Sequence, residues 1–280
     1  MTSKILKIAL IGRTNAGKST LINSIVGEKI SIQNKKINTT QVTIIGVKNI
    51  KKTQLIFYDT PGSNFLKSLN KQSKNLKTNL WSGIDESDII FYLIDSKTAN
   101  IKFLFEQIDK LQEVKKKIIV IFNKIDLISN KQLLPLISNL NKNFQIDSFF
   151  TISAIQNIGI DDLLDYIKKY SYVSKWIFED DEITNKDDIF IVGELLRETM
   201  LTYLHKEIPY NVNIQTSNFK ILKNNDIKIK QKIIINQKRY KKIILGRKGE
   251  MIKKIREDSQ KKMSQILNAK IHLYLEILNA

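Results

Sequence analysis

Near the start of the chain, Gly12-Arg13-Thr14-Asn15-Ala16-Gly17-Lys18-Ser19 has the composition of a device for holding phosphate. Gly12 and Gly17 permit backbone angles and a close approach that a Cβ would block. Backbone N–H groups of such a loop converge on phosphate oxygens, and a helix N-terminus behind it adds partial positive charge. Lys18 is placed to reach β- and γ-phosphates, and the Ser19 hydroxyl to ligate Mg²⁺. The pattern G-x-x-x-x-G-K-[ST] acts as a phosphate loop when a strand precedes it and a helix follows. The apolar run Ile5–Ile11 and the helical periodicity of Thr20–Val26 meet both conditions. Without them a glycine-rich turn between two core elements would explain the residues equally well.

Four further stretches fit the same chemistry. Asp59-Thr60-Pro61-Gly62 follows the apolar run Leu55–Tyr58. A carboxylate there can hold a water on Mg²⁺, and the Gly62 N–H can sense a γ-phosphate; on its own the tetrad is simply a good turn. Asn123-Lys124-Ile125-Asp126 follows Ile118–Phe122. A buried Asp126 carboxylate would accept hydrogen bonds from guanine N1–H and the 2-amino group, donors that adenine lacks. Sites that lose such a bond discriminate by up to ~10⁴–10⁵-fold. Lys124 is expected to lay its stem along the base plane. The competing reading makes Asp126 the cap of the next helix. Ser153-Ala154 ends the run Phe149–Ile152, and the Ala154 N–H could meet guanine O6. Asn38-Thr39-Thr40-Gln41 closes a polar loop, where a Thr hydroxyl, Thr40 in preference to Thr39, would complete a Mg²⁺ shell in the presence of a γ-phosphate. The candidate catalytic set is Lys18, Thr40, Gly62 and Asn15; the metal set is Ser19, Thr40 and Asp59. GTP, GDP and Mg²⁺ are the expected ligands.

Hydrolysis needs an oriented in-line water and neutralised charge on the transferred group. Many GTPases place Gln directly after the glycine of the second motif, but here Ser63 stands there, followed by Asn64 and Phe65. Slow intrinsic turnover follows. Asn15 offers another device, because an Asn in a G-x-x-N-x-G-K-S loop can help hold a monovalent cation, K⁺, beside the phosphates.

These motifs need strands to carry them. Runs at Val42–Val47, Gln54–Tyr58, Ile89–Ile94, Ile118–Phe122 and Phe149–Ile152 alternate with helical stretches at Gly17–Val26, Leu69–Trp81, Ile101–Val114, Gln132–Leu140 and Asp161–Tyr170. Near-continuous apolar strands suit a sheet buried on both faces. The alternation predicts a doubly wound, mostly parallel α/β domain over residues 1–172, with its ligand at the carboxyl ends of the strands.

The chain has 280 residues, no cysteine and a formal charge of +18. That excludes disulfides and thiolate chemistry. No apolar run reaches the roughly 18 residues of a membrane span, and Met1–Lys4 leads straight into the first strand, leaving no room for a signal peptide. A soluble cytoplasmic protein is expected. Between Lys206 and Lys270 there are 18 Lys/Arg against 5 Asp/Glu, a net of +13. Such an excess suits a polyanion, nucleic acid or an anionic membrane surface, although a Lys-rich composition throughout could produce it too.

Residues 173–188, with the acidic run Glu179–Glu182, are read as a solvated linker. Residues 189–280 then give a helix with Val192, Leu195, Leu196, Thr199 and Tyr203 on one stripe, ending at Pro209. Strands at Asn211–Phe219 and Ile227–Asn236 follow, then a short helix Arg239–Leu245 and the loop Gly246-Arg247-Lys248-Gly249. A helix from Glu250 with Ile252, Ile255, Ser259, Met263 and Ile266 inward, and a strand Ile271–Ile277, close the chain. The order α-β-β-α-α-β with G-x-x-G between adjacent helices is that of a type II KH domain, an α+β fold whose loop clamps about four nucleotides of single-stranded RNA. Arg247, Lys248, Lys253 and Lys254 would supply charge beside Gly246 and Gly249. His205 and His272 do not suggest a metal site.

A G domain with G-R-T-N-A-G-K-S joined to such a KH domain resembles the Era family of bacterial ribosome-assembly GTPases over nearly the whole chain. The match is most specific at the phosphate loop, Thr39-Thr40, Asp59–Gly62, Asn123–Asp126, Glu207–Tyr210 and Ile244–Lys253. The resemblance implies binding of 16S rRNA near its 3′ end, a role in 16S processing and assembly of the 30S subunit, GTP/GDP cycling, action as a monomer, and peripheral association with the inner membrane. Gln41 stands where the family usually has Arg, Arg256 replaces a usual Gly, and the chain stops at Ala280 without the usual C-terminal extension. A regulatory G protein whose basic third binds anionic lipid is the alternative.

Overall fold

The structure, a computed structural model, describes residues 2–28, 30, 44–60, 83–204, 208 and 212–279. Thr39, Thr40, Gln41, Pro61, Gly62, Ser63, the expected helix Leu69–Trp81, Pro209 and Tyr210 lie outside them. The chain divides into two compact units, the first ending at Asn185 and the second beginning at Lys186.

In the first unit β1 (Lys4–Gly12), β3 (Thr53–Asp59), β4 (Ile89–Asp95), β5 (Lys117–Asn123) and β6 (Ser148–Thr151) run parallel, and β2 (Ile44–Ile50) pairs antiparallel with β3. Their spatial order is β2-β3-β1-β4-β5-β6. Leu55, Ile56 and Phe57 on β3, Ile90 and Phe91 on β4 and Ile119 to Phe122 on β5 have no measurable exposure. The runs are apolar on both faces because helices cover both faces. Among the described residues those helices include α1 (Lys18–Val26), α2 (Ile101–Gln112), α3 (Asn130–Asn143) and α4 (Ile160–Ile167). Because β1 is flanked by β3 and β4, the order reverses there, and a crevice opens at the carboxyl ends of the strands. Register puts the motif residues on that rim: Leu10 opposite Asp59, Gly12 opposite Leu93, Asp95 opposite Asn123.

Two sequence expectations are corrected here. β2 runs to Ile50, past the expected end at Val47, because it closes a hairpin onto Thr53 through Lys51-Lys52, with Lys51 in the left-handed region. The segment expected to be a solvated linker is strapped along the sheet instead. Tyr172-Val173 form β7, antiparallel to the start of β1 where β4 does not reach. Farther on, Ile183 O accepts from Val47 N–H at 2.8 Å, and Thr184 bridges Gly46. The cause is Gln54, fully buried, whose Oε1 accepts from the Ile177 and Phe178 N–H groups at 2.9 and 3.0 Å and whose Nε2 donates to Phe178 O at 2.9 Å. The acidic side chains of Glu179 to Glu182 remain exposed, as expected.

The second unit has α5 (Asp188–Tyr203), β8 (Val212–Ile221), β9 (Ile227–Ile235), α6 (Lys238–Leu245), α7 (Glu250–Ile266) and β10 (Ile271–Asn279). The sheet order is β10-β9-β8, with β8 antiparallel and β10 parallel to β9. Ile229, Ile233 and Leu273 pack under Val192, Leu196, Ile255 and Met263, so the helices cover one face of the sheet. Tyr203, placed on the buried stripe of α5 by its spacing, is exposed, and Met200 takes the inward position.

Candidate functional site

A Cβ on Gly12 would lie 2.4 Å from the Leu93 carbonyl oxygen, so the chain can leave the sheet here only at glycine. Gly17 stands in the left-handed region at φ 98° and begins α1 with no side-chain acceptor on its first turn. The N–H groups of that turn are therefore offered to the loop it closes. The Lys18 ammonium, buried, folds back to donate to the carbonyls of Gly12 and Arg13 at 3.1 and 3.3 Å. Burial holds its pKa below the usual lysine range, opposed by the attraction of Asp59. A buried cation propped on two neutral carbonyls gains most when it exchanges them for phosphate oxygens.

Ser19 Oγ donates to Asp59 Oδ2 at 2.8 Å, and Asp59 has no exposed surface. A hydroxyl and a carboxylate side by side are the hard oxygen donors that Mg²⁺ takes together with waters and substrate phosphates. The glycine cradle and this donor pair both fit a magnesium nucleotide. Thr60, grouped by the motif with the nucleotide ligands, donates its hydroxyl to Leu10 O at 2.6 Å and so fastens the end of β3 to β1. The Arg13 guanidinium lies 4.7 Å over the Phe103 ring and so faces α2, the loop contributing its backbone there.

Asn123 holds the rim together. Its Nδ2 donates to Ala16 O at 2.9 Å, while its Oδ1 accepts from the N–H groups of Lys124 at 2.8 Å and Ala154 at 3.0 Å. One fully buried amide thus ties the phosphate loop to both base-site turns. It also explains Gly17, where a Cβ would sit 2.2 Å from Asn123 Nδ2. The Ala154 N–H, expected on guanine O6, is directed at Asn123 in this structure.

Lys124 donates to Asn15 O at 2.6 Å and pairs with Asp95 at 2.7 Å, which stretches its stem across the base side of the loop. Asp95 is a positioning residue that sequence reading missed. Its signal was a carboxylate ending an apolar strand, level with Asn123 on β5. Ser153 Oγ donates to Asp126 Oδ1 at 2.6 Å, which aims the carboxylate. Asp126 is exposed rather than buried, because the short turn Ile125–Leu127 leaves it at the rim, so its desolvation falls to a seated base. Asn15, at φ 67°, forms the crest of the loop in a conformation Asn tolerates better than most residues. Thr14, Asn15 and Ala16 complete the loop wall.

In the second unit Gly246 ends α6 at φ 72°, and a Cβ there would lie 2.5 Å from Met251 Cβ. That glycine is required by packing inside the turn. Gly249, at φ 82°, faces open space. Lys248 is also left-handed, at φ 50°. Arg247, Lys248, Lys253 and Lys254 are all exposed, beside the α7 N-terminus, which has no side-chain cap.

The chain matches the family described as 50S ribosome-binding GTPase over residues 7–124 and the KH domain family over residues 207–279. It is 36% identical over 272 residues to the GTPase Era of Rickettsia conorii, covering 97% of this chain and 79% of that protein. The crystal structure of Era in complex with MgGDPNP and nucleotides 1506–1542 of 16S ribosomal RNA superposes with a TM-score of 0.88 at 29% identity, covering 99% of this chain and 94% of that one. A tyrosine-to-alanine variant of Aquifex aeolicus Era, bound to GDP and AlF4⁻, gives a TM-score of 0.87 at 28% identity, covering all of this chain and 94% of that one. With the phosphate loop, the bracketed base turns and the glycine clamp in this order, the chain belongs to the Era family of GTPases.

Proposed function

We propose that this GTPase binds 16S rRNA near its 3′ end through the KH domain, and that its GTP/GDP cycle times that grip during assembly of the 30S subunit in the cytoplasm. The observation that carries the reading is the loop Gly246–Gly249, with positive φ at Gly246, Lys248 and Gly249 and with Arg247 and Lys248 exposed at an uncapped helix N-terminus. Such a loop admits a sugar-phosphate backbone and meets it with charge. The RNA held by the solved Era relative gives that backbone an identity. Replacing Arg247 and Lys248 with Asp should weaken binding of that RNA at least tenfold and flatten its salt dependence, with GTP affinity unchanged. Filter binding reads the first and nucleotide titration the second; loss of GTP affinity would contradict the division of labour. Liposomes of anionic lipid serve as the control for the lipid-binding alternative.

At the GTP site, Lys18 would neutralise charge on the β- and γ-phosphates, and Ser19 and Asp59 would hold Mg²⁺, directly or through water. Mg²⁺ supplies charge neutralisation on the transferred group. With Ser63 where other GTPases have Gln, the protein orients its water slowly. Asn15 at the loop crest is proposed to hold K⁺ beside the phosphates, supplying the charge an arginine finger would bring. Turnover at equal ionic strength should be severalfold faster in K⁺ than in Na⁺, and Asn15→Ala should erase the difference. Equal rates for the unmodified protein would sink this part.

A further inference from the structure

We infer that the face of the three-stranded sheet turned away from the KH helices is a second RNA-contacting surface. Strand β9 alternates strictly: Ile227, Ile229, Gln231, Ile233 and Ile235 are buried, while Lys228, Lys230 and Lys232 point the other way. Register extends this into a grid. Lys228 lies opposite Lys220 on β8, Lys230 between Asn218 on β8 and Tyr274 on β10, and Lys232 beside Glu276. Tyr274 is 51% exposed, and the Lys228 ammonium lies 5.4 Å from its ring centroid.

Ordinary protein design does not place these residues here. Lysines guard edge strands against pairing, but β9 is the central strand. Like charges directly opposite across a ladder destabilise it, yet Lys220 faces Lys228. Among the described residues, none of Lys220, Lys228 and Lys230 forms an ion pair. Of the carboxylates on the face, Asp226 is engaged by His272 at 2.7 Å and Lys270 at 3.9 Å, and Glu276 lies beside Lys232. A local rule broken with no ion pair to compensate it points to function. The chemistry selects the partner: a row of ammonium groups without carboxylate partners meets phosphates, the Tyr274 ring stacks a base, and Asn218 can donate to base edges or sugars. A lipid surface would draw on the charge but leave the flat aromatic and amide positions without a task.

The inference rests on the RNA reading above but involves different residues, so the two can fail separately. The experiment uses the full chain and two probes: RNA of nucleotides 1506–1542, as held by the Era relative, and a short strand cut from it that spans little more than the roughly four nucleotides a clamp holds. Changing Lys220, Lys228 and Lys230 together to Gln should weaken the long RNA about ten- to a hundredfold and lower its log–log salt slope by about two to three. The short strand should bind as before. Restoring charge with Arg at the three positions should restore the long RNA, and Tyr274→Phe should retain what Tyr274→Ala loses. Undiminished binding of the long RNA, or equal loss on the short strand, would overturn the inference. So would loss of anionic vesicle binding with the long RNA unaffected, since lipid would then be the partner. A clamp variant at Arg247 and Lys248 that kept both RNAs would overturn the clamp reading, leaving the sheet face to be judged by its own loss.

Discussion

Asn123→Ala is expected to lower affinity for guanine and adenine nucleotides alike, whereas Asp126→Asn should lower affinity for guanine alone. The two residues are three apart in one motif, yet the structure gives them different work. Asn123 is buried and makes three hydrogen bonds to backbone groups of the phosphate loop and the two base-site turns. Removing its amide leaves the Ala16 carbonyl and the Lys124 and Ala154 N–H groups without their partner, at about 1–3 kcal/mol for each buried group left unsatisfied. The loop could recover partners only by moving, which undoes the phosphate cradle. At the lower end of that range GDP affinity should fall by roughly 10²-fold, and ADP, bound weakly at the outset, should lose its remaining binding. Asp126 bridges nothing in the loop; Ser153 merely aims it. With Asn there, an amide N–H would confront a donor on guanine, so GDP should weaken while a xanthine nucleotide, with a carbonyl at that position, gains. Because the carboxylate is exposed, the discrimination should fall short of the ~10⁴–10⁵ of fully desolvated sites. Calorimetric titration of each variant with GDP, ADP and XDP checks both. An Asn123→Ala protein that lost only guanine preference would show the amide to be a base ligand and not a bolt.

This contrast also marks what could be read from the chain. The strands were legible because β1, β3, β4 and β5 are buried on both faces and therefore mainly apolar, and the phosphate loop, Asp59–Gly62 and Asn123–Asp126 were legible because each lies at the end of such a run. The register that makes Asp95 level with Asn123 was not, since nothing local in either strand encodes the other's position. For the same reason Asn123 could be read as part of a motif but not as the tie between three turns. The place of Thr60 on the rim was legible, but not that its hydroxyl answers to β1 across fifty residues of sequence. Gly246 is similar: the glycine was legible, but the Met251 side chain that demands it becomes visible only once α7 has folded back over the turn.

The strap was the least legible part, and it carries the second large effect. Gln54→Leu is expected to cost about 2–4 kcal/mol of stability, as three part-buried backbone groups of the strap lose their partner. Glutamine has two acceptor sites on its oxygen and two N–H donors. Gln54 fills them all, with Ile177 and Phe178 N–H on the oxygen and Phe178 O and Asn49 Oδ1, at 3.2 Å, on the nitrogen. Its side chain thereby substitutes for a strand edge that residues 177–178 would otherwise need. Leu would match its volume but present a methyl surface to two N–H groups and a carbonyl. The cheaper outcome is for the strap to peel away and hydrate those groups, which should expose residues 174–186 to protease and abolish slow amide exchange at Ile177 and Phe178. The bond from Val47 N–H to Ile183 O should loosen with it. GTP affinity should change little, because Gln54 begins β3 and Asp59 ends it, leaving the rim at the far end of a fully buried strand. Local propensity classes 173–188 as coil, since its hydrogen-bond partner is one polar side chain inside a distant run of apolar ones. Slow exchange surviving at residues 177 and 178 in Gln54→Leu would mean that β2 and β7 hold the strap without it.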